Sequence, residues 1–167
     1  ALWIGIRTAR AVSKCMEMTA QLYNQGAQIV YAPASQSILG AATAAKDADK
    51  YLIACDQDLY GQLVDSDAEL AANVLSSSLK NVGQSLYTTI IGLTDGSMEV
   101  GQNYTLGLES GAVGLAKNAN YGAIVPEAIR AELDEIEGKV IAGEIEINSA
   151  FGMGTDEIAE VRDGMKP

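Results

Sequence analysis

The chain has 167 residues, 48% hydrophobic and 20% charged, an ordinary globular mixture for one domain with its own core. Its 22 acidic residues against 11 basic ones leave a net charge of −11, which argues against nucleic acid or an anionic membrane as partner, since both reward clustered Lys and Arg. There is no His, so Ser-His and Cys-His nucleophile pairs are excluded, and no motif calls for a metal or a cofactor.

Leu2 to Ile6 reads as a strand. The chain enters it almost at once, and it is expected to be a processed product or the C-terminal part of a longer chain. A helix is predicted from Ala9 to Asn24, with Val12, Met16, Thr19 and Tyr23 at helical spacing and Cys15 and Leu22 widening the stripe. Gly26 supplies its stop. Gln28 to Pro33 reads as a buried strand, and Ser35 to Asp47 as an Ala-rich helix capped by Ser35, Gln36 and Ser37. Tyr51 to Asp56 is a third strand ending in a carboxylate. Cys15 and Cys55 both lie in apolar settings and read as two buried free thiols, with a disulfide as the alternative.

This β-α-β-α-β order predicts an α/β fold with a parallel sheet and helices on both faces. Such sheets bind ligands beyond the C-terminal ends of their strands. That places the positions of interest at Arg7 to Arg10, Ala34 to Ser37 and Asp56 to Asp58.

Further along, Asn73 to Ser78 reads as a fourth strand and Lys80 to Leu93 as a helix with Val82, Leu86, Tyr87, Ile90 and Leu93 inward. Asn103 to Leu108 and Ala112 to Ala116 read as two short strands. Pro126 opens the last long helix, whose stripe is Ile129, Leu133, Ile136 and Val140. Glu144 to Ile147 alternates like an edge strand. Residues 1–150 are taken as one ligand-binding lobe and 151–167 as an irregular tail. No segment approaches the ~18 continuous apolar residues of a membrane span.

An ordered set of motifs resembles a known family. Gly26-Ala27 leads into a strand and turn. Ala44-Ala45-Lys46 follows, then Lys50-Tyr51-Leu52-Ile53-Ala54-Cys55-Asp56-Gln57-Asp58. Leu75-Ser76-Ser77-Ser78-Leu79-Lys80-Asn81-Val82, Tyr104-Thr105-Leu106-Gly107-Leu108 and Gly111-Ala112-Val113-Gly114-Leu115 come next. Val125-Pro126-Glu127 and Ala142-Gly143-Glu144-Ile145 complete the series. Together they resemble the basic membrane protein family, the purine-nucleoside-receptor-like lipoproteins of ABC importers.

The resemblance implies one lobe, mainly the C-terminal one, of a type I periplasmic-binding-protein fold, with the N-terminal lobe absent. It implies an extracytoplasmic receptor, lipid-anchored or periplasmic, without catalysis. Its partners would be a small-molecule ligand in an interlobe cleft and the membrane permease of an importer. The ligand class implied is a nucleoside. The alternatives are a sugar or another small polar metabolite on the same scaffold, or a ligand-sensing regulatory domain.

The resemblance also implies site residues. Asp56 matches the carboxylate that accepts ribose hydroxyls, its other reading being a turn or cap residue. Lys80 matches a ligand-reaching ammonium, its other reading being an exposed Lys. Ser35, Gln36 and Ser37 stand where the family has a Gly-rich turn, and they supply hydroxyls and an amide. Arg7 to Arg10 replaces the family's aromatic and its following turn, so Arg10 offers a guanidinium plane for stacking. Asp58 is a secondary candidate and Gln57 a weak one.

Overall fold

The apolar runs of the first half become neighbouring strands in chain order. The computed structural model describes residues 2–3, 12–150 and 152–164. Strands β1 (Leu2–Trp3), β2 (Ile29–Tyr31), β3 (Tyr51–Asp56) and β4 (Val74–Lys80) each pair parallel with the next. Strand β5 (Val113–Leu115) completes the five-stranded sheet, antiparallel to β4.

Helix α1 (Val12–Asn24) joins β1 to β2, and α2 (Ile38–Ala48) joins β2 to β3 after a 3-10 turn over Ser35–Ser37. Two short helices, α3 (Leu59–Leu63) and α4 (Ala68–Ala71), lie between β3 and β4. When strand order follows chain order, right-handed crossovers put all the connecting elements on the same face. The core accordingly lies on that one face. Val30, Leu52, Ala54 and Val74 from the strands meet Cys15 and Tyr23 of α1, Ala41 and Ala45 of α2, and Leu59 of α3. The expected cover on both faces is incomplete among the described residues: Tyr31, Ile53 and Cys55, which alternate with the core residues, are only half-buried.

The helix ends follow backbone chemistry. Gly26, at φ +99°, ends α1 in a Schellman turn, with Ala27 N–H on Leu22 C=O and Gly26 N–H on Tyr23 C=O. Asp49 does the same for α2 at φ +51°, a left-handed conformation that Asp tolerates better than most residues. On α1 the buried stripe is Cys15, Thr19 and Tyr23, while Val12 and Met16 are exposed at its flank.

Strand β4 carries three consecutive serines, of which Ser76 and Ser77 are buried. The Ser77 hydroxyl, fully buried, accepts the Leu59 N–H at 3.2 Å, and Ser76 donates to Ala116 C=O at 2.8 Å. Ser77→Ala leaves a buried N–H without an acceptor. It is expected to lower stability by about 1–3 kcal/mol in urea unfolding, with the slope unchanged.

The second half departs from the sequence reading. Lys80 ends β4 rather than opening a helix, and α5 spans Val82–Asp95 before Gly96 stops it at φ +81°. Val82, Leu86, Tyr87, Ile90 and Leu93 of α5 are exposed, not inward. The 3.6-residue period was read correctly, but no element among the described residues covers that face. Residues 103–108 form no strand, and neither do residues 144–147, which have no strand partner among the described residues. Helix α6 (Ala119–Ile124) precedes α7 (Glu127–Ile141), which begins after Pro126 as expected. The tail expected to be irregular contains α8 (Thr155–Gly164), with Asp156 and Glu157 in its first turn, where carboxylates favour the helix dipole. No helix among the described residues is long and apolar enough to cross a membrane.

Candidate functional site

Parallel pairing brings the C-terminal ends of β3 and β4 side by side. Asp56 lies opposite Leu79, so Lys80 is one residue beyond it. The Lys80 ammonium sits 2.9 Å from Asp56 Oδ1, and both side chains stay substantially exposed, at 61% and 42%. The Asp56 carboxylate, by hydrogen bond and then by charge, raises the Lys80 pKa above its ordinary value. Lys80 therefore owes its place to this pairing and not to a helix terminus.

Backbone strain marks the same edge. Among the described residues only three non-glycine positions have positive φ: Asp49, Ser35 at +49° and Asp56 at +70°. Asp49 is explained by its helix end. Ser35 and Asp56 end up at the strand-end cleft, and strained backbone of this kind clusters at functional sites. Ser35 is a serine held in a backbone conformation that glycine adopts most readily.

Two cavities meet at the Asp56–Lys80 pair. The larger, about 1190 Å³, has a polar end formed by Ser35, Asp56, Ser78 and Lys80. It continues as an apolar groove between the open sheet face and α7, along Leu115, Leu133, Ile136 and Val140. The smaller, about 670 Å³, is lined by Asp56, Gln57, Asp58, Lys80, Asn81 and Gln84. A volume above 1000 Å³ exceeds what a nucleoside-sized ligand needs. Charge and hydroxyl groups converge at the polar end.

The remaining candidates distribute unevenly. Ser35 lines the larger cavity, whereas Gln36 is exposed and lines neither. Ser37 is fully buried, its hydroxyl unpartnered among the described residues, and it also lines neither cavity. Neither the 3-10 turn nor α2 has a side-chain cap, so the expected capping by Ser35 is not observed. Asp58 lines the smaller cavity and accepts Asn118 Nδ2 at 2.8 Å through Oδ1. Gln57 is exposed and accepts the Gln62 side-chain amide. Arg10 lies outside the described residues.

Sequence reasoning missed Tyr31, Ser78 and Cys55, which share the cleft-facing side of the sheet. The Tyr31 and Ser78 hydroxyls are 2.9 Å apart. Cys55 is a free, half-buried thiol beside Asp56, while Cys15 is free and fully buried as expected, its thiol pKa pushed up by burial. The signal for Tyr31 and Cys55 was strand alternation: Val30, Leu52 and Ala54 point to the core, so Tyr31, Ile53 and Cys55 must point away. Ser78 carried no such signal, because a register shift between Leu52 and Ile53 breaks the alternation of β4 after the buried Val74. Lys117 was also missed. It holds α7 through Asp134 at 2.7 Å and Glu137 at 2.6 Å. Among the described residues no three His, Cys, Asp or Glu side chains are arranged to hold a metal.

Comparison with solved structures agrees with this architecture. A transcriptional activator of the comK gene from Bacillus halodurans is similar with a TM-score of 0.68 at 17% identity, over 86% of this chain and 47% of that one. An ABC transporter solute-binding protein from Conexibacter woesei has a TM-score of 0.61 at 18% identity, over 83% and 43%. Another from Aeropyrum pernix has a TM-score of 0.61 at 21% identity, over 89% and 47%. The chain thus spans less than half the length of each. No functionally curated protein sequence matches it. A family profile described as ABC transporter substrate-binding protein, PnrA-like, matches residues 11–148, which is most of the chain. With its sheet, its strand-end cleft and that match in agreement, the chain belongs to the Bmp family of PnrA-like ABC transporter substrate-binding proteins.

Proposed function

We propose that this chain is one lobe of an extracytoplasmic solute receptor that delivers a nucleoside-type ligand to the permease of an ABC importer. The observation that carries the reading is the Asp56–Lys80 pair at the ends of β3 and β4, flanked by the strained Ser35. An ionised carboxylate accepts two neighbouring hydroxyls, as a ribose presents them, and such charge-assisted bonds are the strong ones. Lys80 engages Asp56 Oδ1, and Oδ2 has no protein donor among the described residues, on a side chain that lines both cavities. The Lys80 ammonium has further donors to offer. Binding works without chemistry here: ligand bridges this lobe to a second one and shifts the population toward a closed form that the permease recognises.

A sugar is the second reading. The exposed Ser35-Gln36 turn in place of glycines adds hydroxyl and amide partners at the cleft edge. A thermal-shift panel on the complete polypeptide, with adenosine, guanosine, inosine, ribose and hexoses, separates the two. The nucleoside reading expects several degrees of stabilisation at ~100-fold excess over Kd for nucleosides, and none for free sugars. Stabilisation by hexoses alone would establish the second reading in its place.

A further inference from the structure

We propose that Asn118 is a positioning residue of the ligand site, presetting Asp58 for a ligand donor. The inference rests on the receptor reading and extends it to a residue in a different loop. Asn118 uses both ends of its amide. Its Nδ2 donates to Asp58 Oδ1 at 2.8 Å, across 60 residues of sequence, and its Oδ1 accepts the Tyr121 N–H at 2.9 Å, capping α6. The same loop is bolted to the sheet on either side. Ala116 exchanges hydrogen bonds with Ser76 and Ser77, and Asn120 donates to the carbonyls of Ala71, Ala72 and Val74. Asn118 therefore acts from a rigid base.

Asp58 is constrained from below as well. A Cβ on Gly61 would come within 3.0 Å of Asp58 Oδ2, so the glycine leaves the space in which that oxygen sits. Asp58 could cap α3 but does not, since its side chain accepts no bond from that helix. One oxygen is held by Asn118. The other has no donor among the described residues and belongs to a side chain that lines the smaller cavity. The other charged groups of that cavity, Asp56 and Lys80, are paired with each other. The neighbouring Lys117 is taken by Asp134 and Glu137. Asp58 is thus a free acceptor, oriented by a neutral donor, in a place where no cation competes for it. A hydroxyl or N–H of the ligand is the chemical partner it fits.

The test is Asn118→Asp in the complete polypeptide. The substitution keeps the acceptor for Tyr121 N–H, so the α6 cap survives, but it replaces the donor to Asp58 with a second carboxylate. Two carboxylates at that distance do not both ionise readily, and one is pushed to hold a proton at higher pH. When protonated, the new carboxyl donates to Asp58 as the amide did. Affinity for the best nucleoside of the panel is therefore expected to fall about 10-fold at pH 8, one good hydrogen bond. It should recover to within about 3-fold of wild type near pH 5, while wild type changes little over that range. Equal affinity of variant and wild type at both pH values overturns the inference. So does a loss that is the same at both, which would mark a structural role only. A wild-type protein silent toward the whole panel overturns the receptor reading itself, and the positioning role with it.

Discussion

Asp56→Asn in the complete polypeptide is expected to weaken nucleoside binding about 10- to 100-fold while leaving the thermal midpoint almost unchanged. Asn is the informative substitution. Asp56 has φ +70°, and Asn occupies that left-handed region readily, so the backbone is not asked to move. What is lost is the charge. A hydrogen bond to an ionised group contributes about 1.5–3 kcal/mol against about 1 for a neutral one, and a tenfold change in Kd is about 1.4 kcal/mol. The neutral amide also keeps one oxygen as acceptor, so loss of the two charge-assisted bonds lands within that range. Asp56→Ala should lose at least as much affinity and, unlike Asn, also some stability, because a Cβ-bearing residue without a polar side chain is strained at positive φ by about 1–2 kcal/mol. Calorimetric titration of both variants beside wild type reads the first effect, and thermal melts read the second. Unchanged affinity in Asp56→Asn would remove the carboxylate from the site.

The largest expected effect on stability is at Gly40. A Cβ there would stand 2.0 Å from the Val12 carbonyl oxygen and 3.0 Å from the Met16 amide nitrogen. Both are backbone atoms of α1, so no rotamer change relieves the clash. Helices α1 and α2 approach so closely because, after Ile38, every buried residue of α2 is Gly or Ala: Gly40, Ala41, Ala42, Ala44 and Ala45. Helix propensity alone would favour Gly40→Ala by about 1 kcal/mol. Overpacking of a well-filled core costs about 1–3 kcal/mol and occasionally more, and backbone against backbone belongs at the upper end. The clash wins, and a net loss of about 2–3 kcal/mol is expected, a large share of the ~5–15 kcal/mol that holds a domain together. Gly138→Ala is the matching control. It sits on exposed α7 with nothing within 4 Å of its Cβ, so the propensity term stands alone and a gain of about 0.5–1 kcal/mol is expected. Urea unfolding of the pair should move in opposite directions. A Gly40→Ala protein as stable as wild type would mean that the two helices do not pack in this way.

How far the fold could be read from the residues depended on what each segment packs against. Strands β2 to β4 and helices α1 and α2 were legible because their apolar periods meet partners nearby in the chain. The strand ends followed from that, and with them Asp56 and Ser35. Lys80 was expected to open a helix, but β4 runs two residues past the expected strand end at Ser78, and the charge that holds Lys80 sits on the neighbouring strand. The stripes of α5 and α7 were correctly periodic, yet periodicity says that a face wants cover and not what covers it. Residues 144–147 alternate like a strand but find no strand to pair with among the described residues, and a strand without a ladder does not form. The Asn118–Asp58 contact joins residues 60 apart, and nothing local to either announces it.

On the proposed reading, ligand binds at the strand-end pair and not in the apolar groove beneath α7. Hydrogen–deuterium exchange of the complete polypeptide, with and without saturating nucleoside, locates the contact directly. Slowed exchange is expected in the segments that contain Cys55 to Leu59 and Leu79 to Gln84, which wall the two cavities at the Asp56–Lys80 pair. Protection confined to α7 and residues 145–150, with the strand ends unaffected, would contradict it and place the ligand in the groove.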